Sequence, residues 1–456
     1  MKAGDPKIEK KELANALCMF HSPPREIDTF ANISDIPQWI KAFEVPEIEQ
    51  CLNPDCTKRL LTLICDYNQT MIAVTERVKI KKDKEGNVYK HFEHSPIAVL
   101  PKYMAYVYDM YFDQWFYAAF HAGKLIAATD TFNKLIRIIS KTPRFYSTAT
   151  TAVLNLIEKS LPRVRQIISA GLTDDTIIDP YGVIDTTDYG VEPLLKAYEW
   201  IRKYYPEPNA KWAWFNVLST VAKVMTPLVT FYNKSFTDMI IYNVGKGGEG
   251  KTSLVMYILI PLLGGEDADD AYIIRLVGYI RGRNIRAGLN ISELSALLFL
   301  NRLPLILDEQ IFEIILRGNA PIILSNLGLQ KYRNTKNFRG VITFTTIPLK
   351  TFLSDTKINT PSIRNKFIEV KWFSYAPINV SAFSNKPVIE PILGFISRLW
   401  IRYRNEFIKS NDLLELIEKL TNVMKQEYYN DAKVGEMVKY SLDTLDAIDK
   451  LFMKKH

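Results

Sequence analysis

The feature that most constrains this chain is a glycine cluster, "VGKGGEGKTS", which occupies residues 244–253 between two apolar segments. Residues 239–244 have the β-branched, uncharged character of a buried parallel strand, and the residues from Lys251 onward have helical composition. The loop between them fits the pattern G-x-x-x-x-G-K-[S/T], whose fixed positions are Gly245, Gly250, Lys251 and Thr252. The sequence therefore predicts a strand, a phosphate-binding loop and a helix in succession.

Each residue type in this loop has a mechanical reason to be there. Glycines let backbone N–H groups turn inward around an anion, and the start of the helix adds the positive end of its dipole. Lys251 would reach the β- and γ-phosphates of a nucleotide, and the hydroxyl of Thr252 would hold Mg²⁺. The predicted nucleotide-binding residues are Gly245, Lys246, Gly247, Gly248, Glu249, Gly250, Lys251, Thr252 and Ser253. A glycine-rich surface turn without a ligand is the alternative interpretation.

Composition sets the broad class. With 456 residues, of which 47% are hydrophobic and 24% charged, the chain can bury a large core and is predicted to form two to four domains. The net charge of +8 weakly indicates a polyanionic partner such as nucleic acid. The N-terminus lacks an apolar signal core, and no apolar run approaches the roughly 20 residues of a membrane span. We therefore expect a soluble cytoplasmic protein, in the host cytoplasm if it is viral, without a disulfide framework.

Segment composition predicts four regions. Residues 1–140 are expected to form a mixed domain with a β-hairpin that turns at Gly86-Asn87, and residues 141–210 a helical connector or collar. Residues 211–375 alternate strand-like and helix-like segments, as in an ATPase core with a central sheet. Residues 376–456 are expected to form a C-terminal helical domain.

A second acidic motif follows about fifty residues after the glycine loop. In "RLPLILDEQ" an apolar strand ends in Asp308-Glu309. The fixed end of a strand can position one carboxylate on Mg²⁺ and a second on the attacking water. We therefore assign Asp308 to the metal and Glu309 as the general base. Taken alone, the same pattern is common where a strand meets a turn.

The next segment combines charge with aromatic residues. "KYRNTKNFR" has hairpin-tip residues at 334–337 and interleaves Tyr332 and Phe338 with four basic residues. These are Lys331, Arg333, Lys336 and Arg339. Such a tip can grip single-stranded nucleic acid without sequence preference, although a solvated hairpin is the simpler alternative.

Two further polar groups follow this hairpin. The buried strand "GVITFTT" ends in Thr345 and Thr346, where a hydroxyl can contact the γ-phosphate or the attacking water. Arg364 precedes the next strand, where an arginine could reach a nucleotide bound to a neighbouring subunit. The predicted catalytic residues are thus Lys251, Asp308, Glu309, Thr346 and Arg364.

This order of parts resembles the superfamily 3 helicases of the AAA+ class, especially the helicase part of viral and archaeal-plasmid primase-helicases. The resemblance covers roughly residues 210–375. It implies an α/β P-loop NTPase, AAA+-like with a parallel central sheet. Around it we expect a largely helical N-terminal region and a C-terminal helical domain.

The resemblance also implies a function. It suggests a replicative DNA helicase or initiator of a virus, plasmid or mobile element, powered by ATP with Mg²⁺. Six subunits would form a ring that binds ATP between neighbours and pulls one strand of double-stranded DNA through its channel. In this comparison Lys331, Arg333, Lys336 and Arg339 match the DNA-binding hairpin, and Arg364 matches the arginine finger.

One residue departs from the family pattern. The sensor of the family is usually Asn after Thr-Thr or Thr-Ser, whereas this chain has Ile347 there, so Thr346 or Thr345 must substitute. Asn326 is a rival sensor, which would make Arg339 the finger. Its position only eighteen residues after Asp308 leaves no room for the hairpin between them.

The N-terminal region contains candidate metal ligands and isolated acids. Cys18 and His21 in "CMFH" and Cys51 and Cys56 in "CLNPDC" could form a tetrahedral zinc site, with buried thiols and a surface histidine as the alternative. Asp109 and Asp113 are expected on the solvated side of an aromatic-rich helix. Without a convincing carboxylate constellation in residues 1–200, we predict no primase activity.

Two other functions use the same loop. A signalling or scaffold ATPase would change shape on nucleotide binding and never move along DNA. A kinase-like phosphotransferase is disfavoured because the sequence indicates neither a lid nor an acceptor site, and Glu309 suits activation of water.

Overall fold

The protein divides into two compact units. The computed structural model describes residues 6–21, 38–111, 114–142, 144–180, 182, 184–264, 302–307, 340–355, 364–428 and 432–453. The first unit comprises residues 1–167 with 180–182, and the second comprises residues 168–179 with 183–456. Among the helices within these described ranges, none has the length and apolar character needed to cross a membrane.

The first unit is built mainly from two β-sheets. One has five antiparallel strands in the order β1-β2-β3-β4-β8, and the other has four in the order β7-β6-β5-β9, with β9 parallel to β5. The strands are β1 (Glu49–Cys51), β2 (Lys58–Cys65), β3 (Thr70–Lys82), β4 (Val88–Pro101), β5 (Tyr103–Asp109), β6 (Gln114–His121), β7 (Lys124–Thr129), β8 (Tyr146–Ser147) and β9 (Arg163–Arg165). The described residues of this unit also form the helices α1 (Pro6–His21), α2 (Phe132–Ile139) and α3 (Thr151–Ser160).

The hairpin predicted at Gly86-Asn87 is present between β3 and β4. Gly86 has a φ of 88°, a left-handed conformation that glycine adopts without steric cost. The Asp83 carboxylate accepts hydrogen bonds from the backbone N–H groups of Glu85 and Asn87. These local bonds within the turn close the hairpin and fix the pairing of Lys82 with Val88.

The expectation of a largely helical N-terminal region is wrong. Residues 103–109 form strand β5, in which Tyr103, Ala105, Val107 and Asp109 are buried while Tyr106 and Tyr108 are partly exposed. This two-residue period and the richness in aromatic and β-branched side chains favour a strand over a helix. Asp109 is therefore a buried strand residue and not one on a solvated helix face. Asp113 lies outside the described residues.

The three cysteines of the predicted zinc site are bonded in disulfides. Cys18 on α1 is disulfide-bonded to Cys65 at the end of β2, and Cys51 is bonded to Cys56. A sulfur in a disulfide carries no thiolate to coordinate zinc. The side chain of His21 lies outside the described part of the chain, within which no group of three or more potential metal ligands occurs. The expectation of unpaired cysteines is also wrong.

The second unit is organised around a parallel sheet of four strands in the order β13-β14-β12-β15. These are β12 (Ile240–Val244), β13 (Leu305–Leu307), β14 (Val341–Thr345) and β15 (Phe367–Lys371). Every residue of β13 and β14 is buried, as expected for parallel strands covered on both faces. A separate short pair joins β10 (Gly171–Leu172) and β11 (Ile177–Ile178).

The second unit contains eight α-helices in its described residues, and the longest of them is buried. They are α4 (Glu192–Tyr204), α5 (Asn209–Tyr232), α6 (Lys251–Leu254), α7 (Ile260–Leu262), α8 (Leu349–Asp355), α9 (Leu393–Ile408), α10 (Leu413–Glu427) and α11 (Ala432–Met453). The last three pack against α5, which confirms the predicted helical C-terminus. Because α5 is buried over most of its length, it is the core helix of the second unit.

A reciprocal amide pair fastens α5 to the centre of the sheet. Asn216 on α5 and Asn243 on β12 are fully buried, and each side-chain amide donates to the oxygen of the other, at 2.9 and 2.8 Å. Asn243 also donates to the Thr343 carbonyl on β14 and accepts from the Trp372 indole N–H. Because every polar atom of the Asn243 side chain is bonded, the pair can lie in the core without an unsatisfied group.

Replacement of Asn243 by leucine should destabilise the protein. The change leaves the buried Oδ1 of Asn216 and the Trp372 N–H without their partner, so we expect the free energy of unfolding to fall by about 3 kcal/mol. The double variant with leucine at 216 and 243 should lose less free energy of unfolding than Asn216→Leu and Asn243→Leu lose together. Urea denaturation followed by tryptophan fluorescence measures both. Unchanged stability of Asn243→Leu would contradict the fastening role of the pair.

Candidate nucleotide site

The glycine loop lies at the carboxyl end of the central strand. Strand β12 pairs with β14 and β15 on its two sides, with Val244 opposite both Thr345 and Lys371. From β12 the next described strand is β13, on the far side of β14, whereas β14 is followed by β15, on the other side of β12. Where the connections from two neighbouring strands run in opposite directions across a sheet, a crevice opens at the carboxyl ends of the strands, and α/β proteins bind ligands there. The loop lies at that crevice.

Two glycines in the loop have conformations that other residues rarely adopt. Gly248 and Gly250 have φ angles of 88° and 90°. A Cβ atom on Gly250 would lie 2.6 Å from Cε1 of Tyr205 and 3.0 Å from Ile378, so the site has no space for a side chain. By contrast, a Cβ on Gly247 or Gly248 would meet no atom within 4 Å. The loop is therefore tightly packed at its base and open at its tip.

Segments distant in sequence hold this base in place. The Tyr205 hydroxyl donates to the Gly250 carbonyl at 2.7 Å, and burial raises its pKa well above the usual value, so it stays a donor. The Ile378 N–H donates to the Gly248 carbonyl at 3.1 Å, and the Gly245 N–H donates to the Thr345 carbonyl at 3.1 Å. The loop conformation is therefore set by its surroundings as well as by its glycines.

Lys251 places a buried ammonium group inside the loop. Its Nζ donates to the Lys246 carbonyl at 2.5 Å and to Oε2 of Glu249 at 2.6 Å. The other carboxylate oxygen of Glu249 accepts from the Lys246 N–H at 2.7 Å. The side chains of Lys251 and Glu249 are only 9% and 1% exposed. Two opposite charges at this depth require each other, because a lone buried charge is strongly unfavourable.

The helix that follows begins with the residue pair that the motif predicts. Lys251 is the first residue of α6, and Thr252 is exposed in the first turn. The helix continues through a π-helical turn (Val255–Leu259) into α7. An open glycine tip, an ammonium group inside the loop and an exposed hydroxyl at a helix start form a donor set that fits a polyphosphate and its magnesium ion.

Other predicted residues lie on the same edge of the sheet. Thr345 ends β14, is fully buried and accepts through its hydroxyl from the Ile347 N–H, whereas Thr346 is exposed directly after it. Of these two sensor candidates, Thr346 is therefore the one accessible to a ligand. Strand β13 ends at Leu307, the residue before Asp308. Asp308, Glu309 and the rival sensor Asn326 lie outside the described residues.

Arg364 lies at the opposite edge. It is exposed and precedes β15, whose first residue, Phe367, pairs with Ile240 at the start of β12. A strand of five residues is about 16 Å long. Arg364 therefore lies away from the glycine loop of its own chain. The predicted DNA-binding residues Lys331, Arg333, Lys336 and Arg339 lie outside the described part of the chain.

Some residues of the site carry no sequence motif. Tyr205, Ile378 and Trp372 contact the loop or its strand, yet the nearest of them in sequence, Tyr205, lies 45 residues from Gly250. The loop motif identified Glu249 only as a variable position. Its acidic character beside the lysine is the one signal that could have predicted the ion pair.

Comparison with known proteins identifies no family for this chain. Neither a family model nor a curated protein matches it. Among solved structures, one similar chain is described as "SCCmec type IV Cch - active helicase", at 12% sequence identity and a TM-score of 0.43. The match covers 81% of this chain and 78% of that one. This likeness is too distant to assign a fold or an activity.

Alanine at Gly250 should disrupt the loop, whereas alanine at Gly247 should not. The Gly250 change forces a positive φ on a residue with a Cβ and creates a clash with Tyr205, so we expect a loss above about 1 kcal/mol in stability and loss of nucleotide binding. Gly247→Ala enters open space and should change stability by less than about 0.5 kcal/mol. Thermal unfolding and titration with a fluorescent ATP analogue measure the two effects. Equal effects of the two variants would contradict the packing described for the base.

Proposed function

We propose that the second unit binds ATP with Mg²⁺ at the glycine loop and hydrolyses it, and that the chain is a DNA helicase or replication initiator. The observation that carries this proposal is the buried ammonium group of Lys251 inside an open-tipped glycine loop. The loop follows the central strand of a parallel sheet and lies beside the accessible Thr346, and the acidic pair Asp308-Glu309 follows a strand of the same sheet.

The roles of the side chains follow from their positions. Lys251 and the loop amides would hold the β- and γ-phosphates, while Thr252 and Asp308 would hold the metal ion. Bound magnesium neutralises charge on the phosphate oxygens. Glu309 would accept a proton from the attacking water, and the Thr346 hydroxyl would orient that water or the γ-phosphate.

Binding of a polyphosphate requires a change of partner at Lys251. In the described structure its ammonium group is neutralised by the Glu249 carboxylate at 2.6 Å. The β- and γ-phosphates of a nucleotide together carry more negative charge than this carboxylate, and they would repel the carboxylate. Glu249 therefore moves out of the loop or rotates away when Lys251 turns to the phosphate. The Lys246 N–H, now bonded to Glu249, is released by the same movement.

The position of Arg364 supports a shared site between subunits. An exposed arginine at the opposite edge of the sheet cannot serve the loop of its own chain, but it can serve the loop of a neighbour arranged head to tail. A closed ring of such contacts, which we propose has six subunits, leaves a central channel. We propose that the basic hairpin at residues 331–339 faces that channel and contacts single-stranded DNA during unwinding of the duplex.

The rate of ATP hydrolysis should rise when single-stranded DNA is added. A motor that moves along DNA couples the two sites, so oligothymidylate should stimulate hydrolysis several-fold, and Lys251→Ala should lower the rate about 100-fold or more in both conditions. A phosphate-release assay measures the rates. Hydrolysis that is the same with and without DNA would instead favour a nucleotide-switched signalling or scaffold ATPase. Absence of hydrolysis would contradict the proposal.

Mixed subunits should reveal the shared site. Arg364→Ala should lower hydrolysis about a thousandfold, because a finger arginine stabilises charge in the transition state, while ATP binding persists. When this variant is mixed with the Lys251→Ala protein, some sites combine an intact Lys251 with an intact Arg364, and activity should partly return. Each variant incubated alone is the control. If the mixture is no more active than its components, Arg364 does not complete a neighbour's site.

A further inference from the structure

One face of the second sheet in the first unit carries aromatic and arginine side chains together. Alternate residues of β5, β6 and β9 project from this face, because successive side chains of a strand point to opposite sides. We call these six residues the aromatic face: Tyr106, Tyr108, Trp115, Tyr117, Arg163 and Arg165.

The strand register arranges these residues in two rows. In the first row, Tyr106 lies between Tyr117 on β6 and Arg163 on β9. In the second row, Tyr108 lies between Trp115 and Arg165. Each row therefore has an arginine at one side and two aromatic rings beside it. The arrangement combines residues from three strands, and the most distant pair, Tyr106 and Arg165, is 59 positions apart in sequence.

The rings contact one another across the strands. The Tyr106 ring is stacked on Trp115 with centroids 4.7 Å apart and an interplanar angle of 19°. The Tyr108 ring lies 5.4 Å from Trp115, and the Arg165 guanidinium lies over Tyr108 at 5.6 Å from its centroid. Mutual stacking fixes the orientation of these side chains, so they form a surface of defined shape.

This face is accessible at one end and covered at the other. Tyr117 donates to Glu158 on α3 at 2.5 Å, and its ring lies 5.8 Å from Phe132 on α2. Burial, together with this bond, raises the pKa of Tyr117. The rings of Tyr106, Tyr108 and Trp115 remain partly exposed, and both arginines are exposed. Asp109, the acidic residue nearest in sequence, points to the opposite face and is fully buried.

The chemistry of the accessible end matches single-stranded nucleic acid. Unpaired bases stack on aromatic rings, and this stacking tolerates any sequence because every base has a π-face. Arginines beside the rings can pair with the phosphates between successive bases. In a duplex the bases are stacked on one another, so a flat aromatic surface cannot reach their faces. In each row the arginine lies on the strand next to that of the central tyrosine. The two rows would therefore accommodate two neighbouring nucleotides, with one base and one phosphate at each row.

We propose that the aromatic face binds single-stranded DNA, with bases stacked on Tyr108 and Trp115 and phosphates bound by Arg163 and Arg165. These six residues belong to the first unit, whereas the glycine loop belongs to the second. The choice of DNA over RNA rests on the proposed function, whereas the stacking chemistry does not.

Binding of labelled oligothymidylate to the full chain, measured by fluorescence anisotropy without ATP, tests this proposal. Tyr108→Ala and Trp115→Ala should each weaken binding about tenfold, and Trp115→Phe should retain most of it. Phe383→Ala and Arg404→Ala remove an exposed aromatic and an exposed arginine from the other unit and should leave binding unchanged. An oligonucleotide without bases should bind the parent and Trp115→Ala chains equally.

The salt dependence gives an independent measurement for the arginines. The variant with glutamine at both 163 and 165 should lower the slope of log affinity against log salt by about 1.4, because each lost phosphate contact on a single strand removes about 0.7. This variant leaves the aromatic packing in place, so it tests the proposal even if Trp115→Ala does not fold. Thermal unfolding verifies the fold of each variant.

The outcomes separate this proposal from the proposed function. If oligothymidylate binds the parent and all face variants with equal affinity, or does not bind at all, the aromatic face is not a DNA site. Hydrolysis of ATP without DNA should be the same in Tyr108→Ala and the parent. A chain that binds oligothymidylate through these residues but does not hydrolyse ATP overturns only the proposed function. Tighter binding of oligouridylate than of oligothymidylate would overturn the choice of DNA.

Discussion

The buried amide pair of Asn216 and Asn243 is the interaction on which the architecture of the second unit depends. A parallel strand at the centre of a sheet is covered on both faces, so any polar group there must find its partner inside the protein. Asn243 makes four hydrogen bonds: two with Asn216, one with the Thr343 carbonyl and one with the Trp372 indole. Because Asn243 lies one residue before the end of β12, this network fixes the strand directly beneath the glycine loop. Misplacement of α5 relative to the sheet would leave several buried groups unpaired, so the alternative arrangements are strongly disfavoured.

The glycine loop next to this network has a fixed base, an open tip and one buried ion pair. Its base is held by Tyr205, Ile378 and the end of β14, and the space beside Gly250 excludes a side chain. Its tip is open. Between them, the ion pair of Lys251 and Glu249 neutralises two buried charges. We propose that a phosphate entering the loop replaces the carboxylate as the counter-ion of Lys251. Ligand binding would then be sensitive to the charge on Glu249.

The sequence predicted those elements that local rules determine. The strand, glycine loop and helix at 239–262 follow from a spacing motif, and the turn at Gly86-Asn87 follows from a preference for positive φ. The helical C-terminus follows from its 3.6-residue period. The β-rich nature of the first unit is not predicted beyond one hairpin, because the aromatic-rich segment around Asp109 is interpreted as a helix, although Tyr103–Asp109 has the two-residue burial period of a strand. The prediction of zinc ligation by Cys18 is wrong because Cys18 forms a disulfide with Cys65, which lies 47 positions away. No local sequence pattern specifies such a partner. Tyr205 beneath Gly250 and the two rows of the aromatic face depend on pairing between distant segments, which a single sequence does not specify.

The most direct test of the account is a structure of the protein with a non-hydrolysable ATP analogue and Mg²⁺. We expect the β- and γ-phosphates to lie inside the loop at residues 245–250 and Lys251 Nζ to bond to a phosphate oxygen. The Glu249 carboxylate, whose Oε2 now lies 2.6 Å from Lys251 Nζ, should have moved away from it. We also expect Tyr205 to keep its bond to the Gly250 carbonyl, since the base of the loop does not need to move. A nucleotide bound elsewhere on the chain, or a loop in which Lys251 remains paired with Glu249 at saturating analogue, would contradict the account.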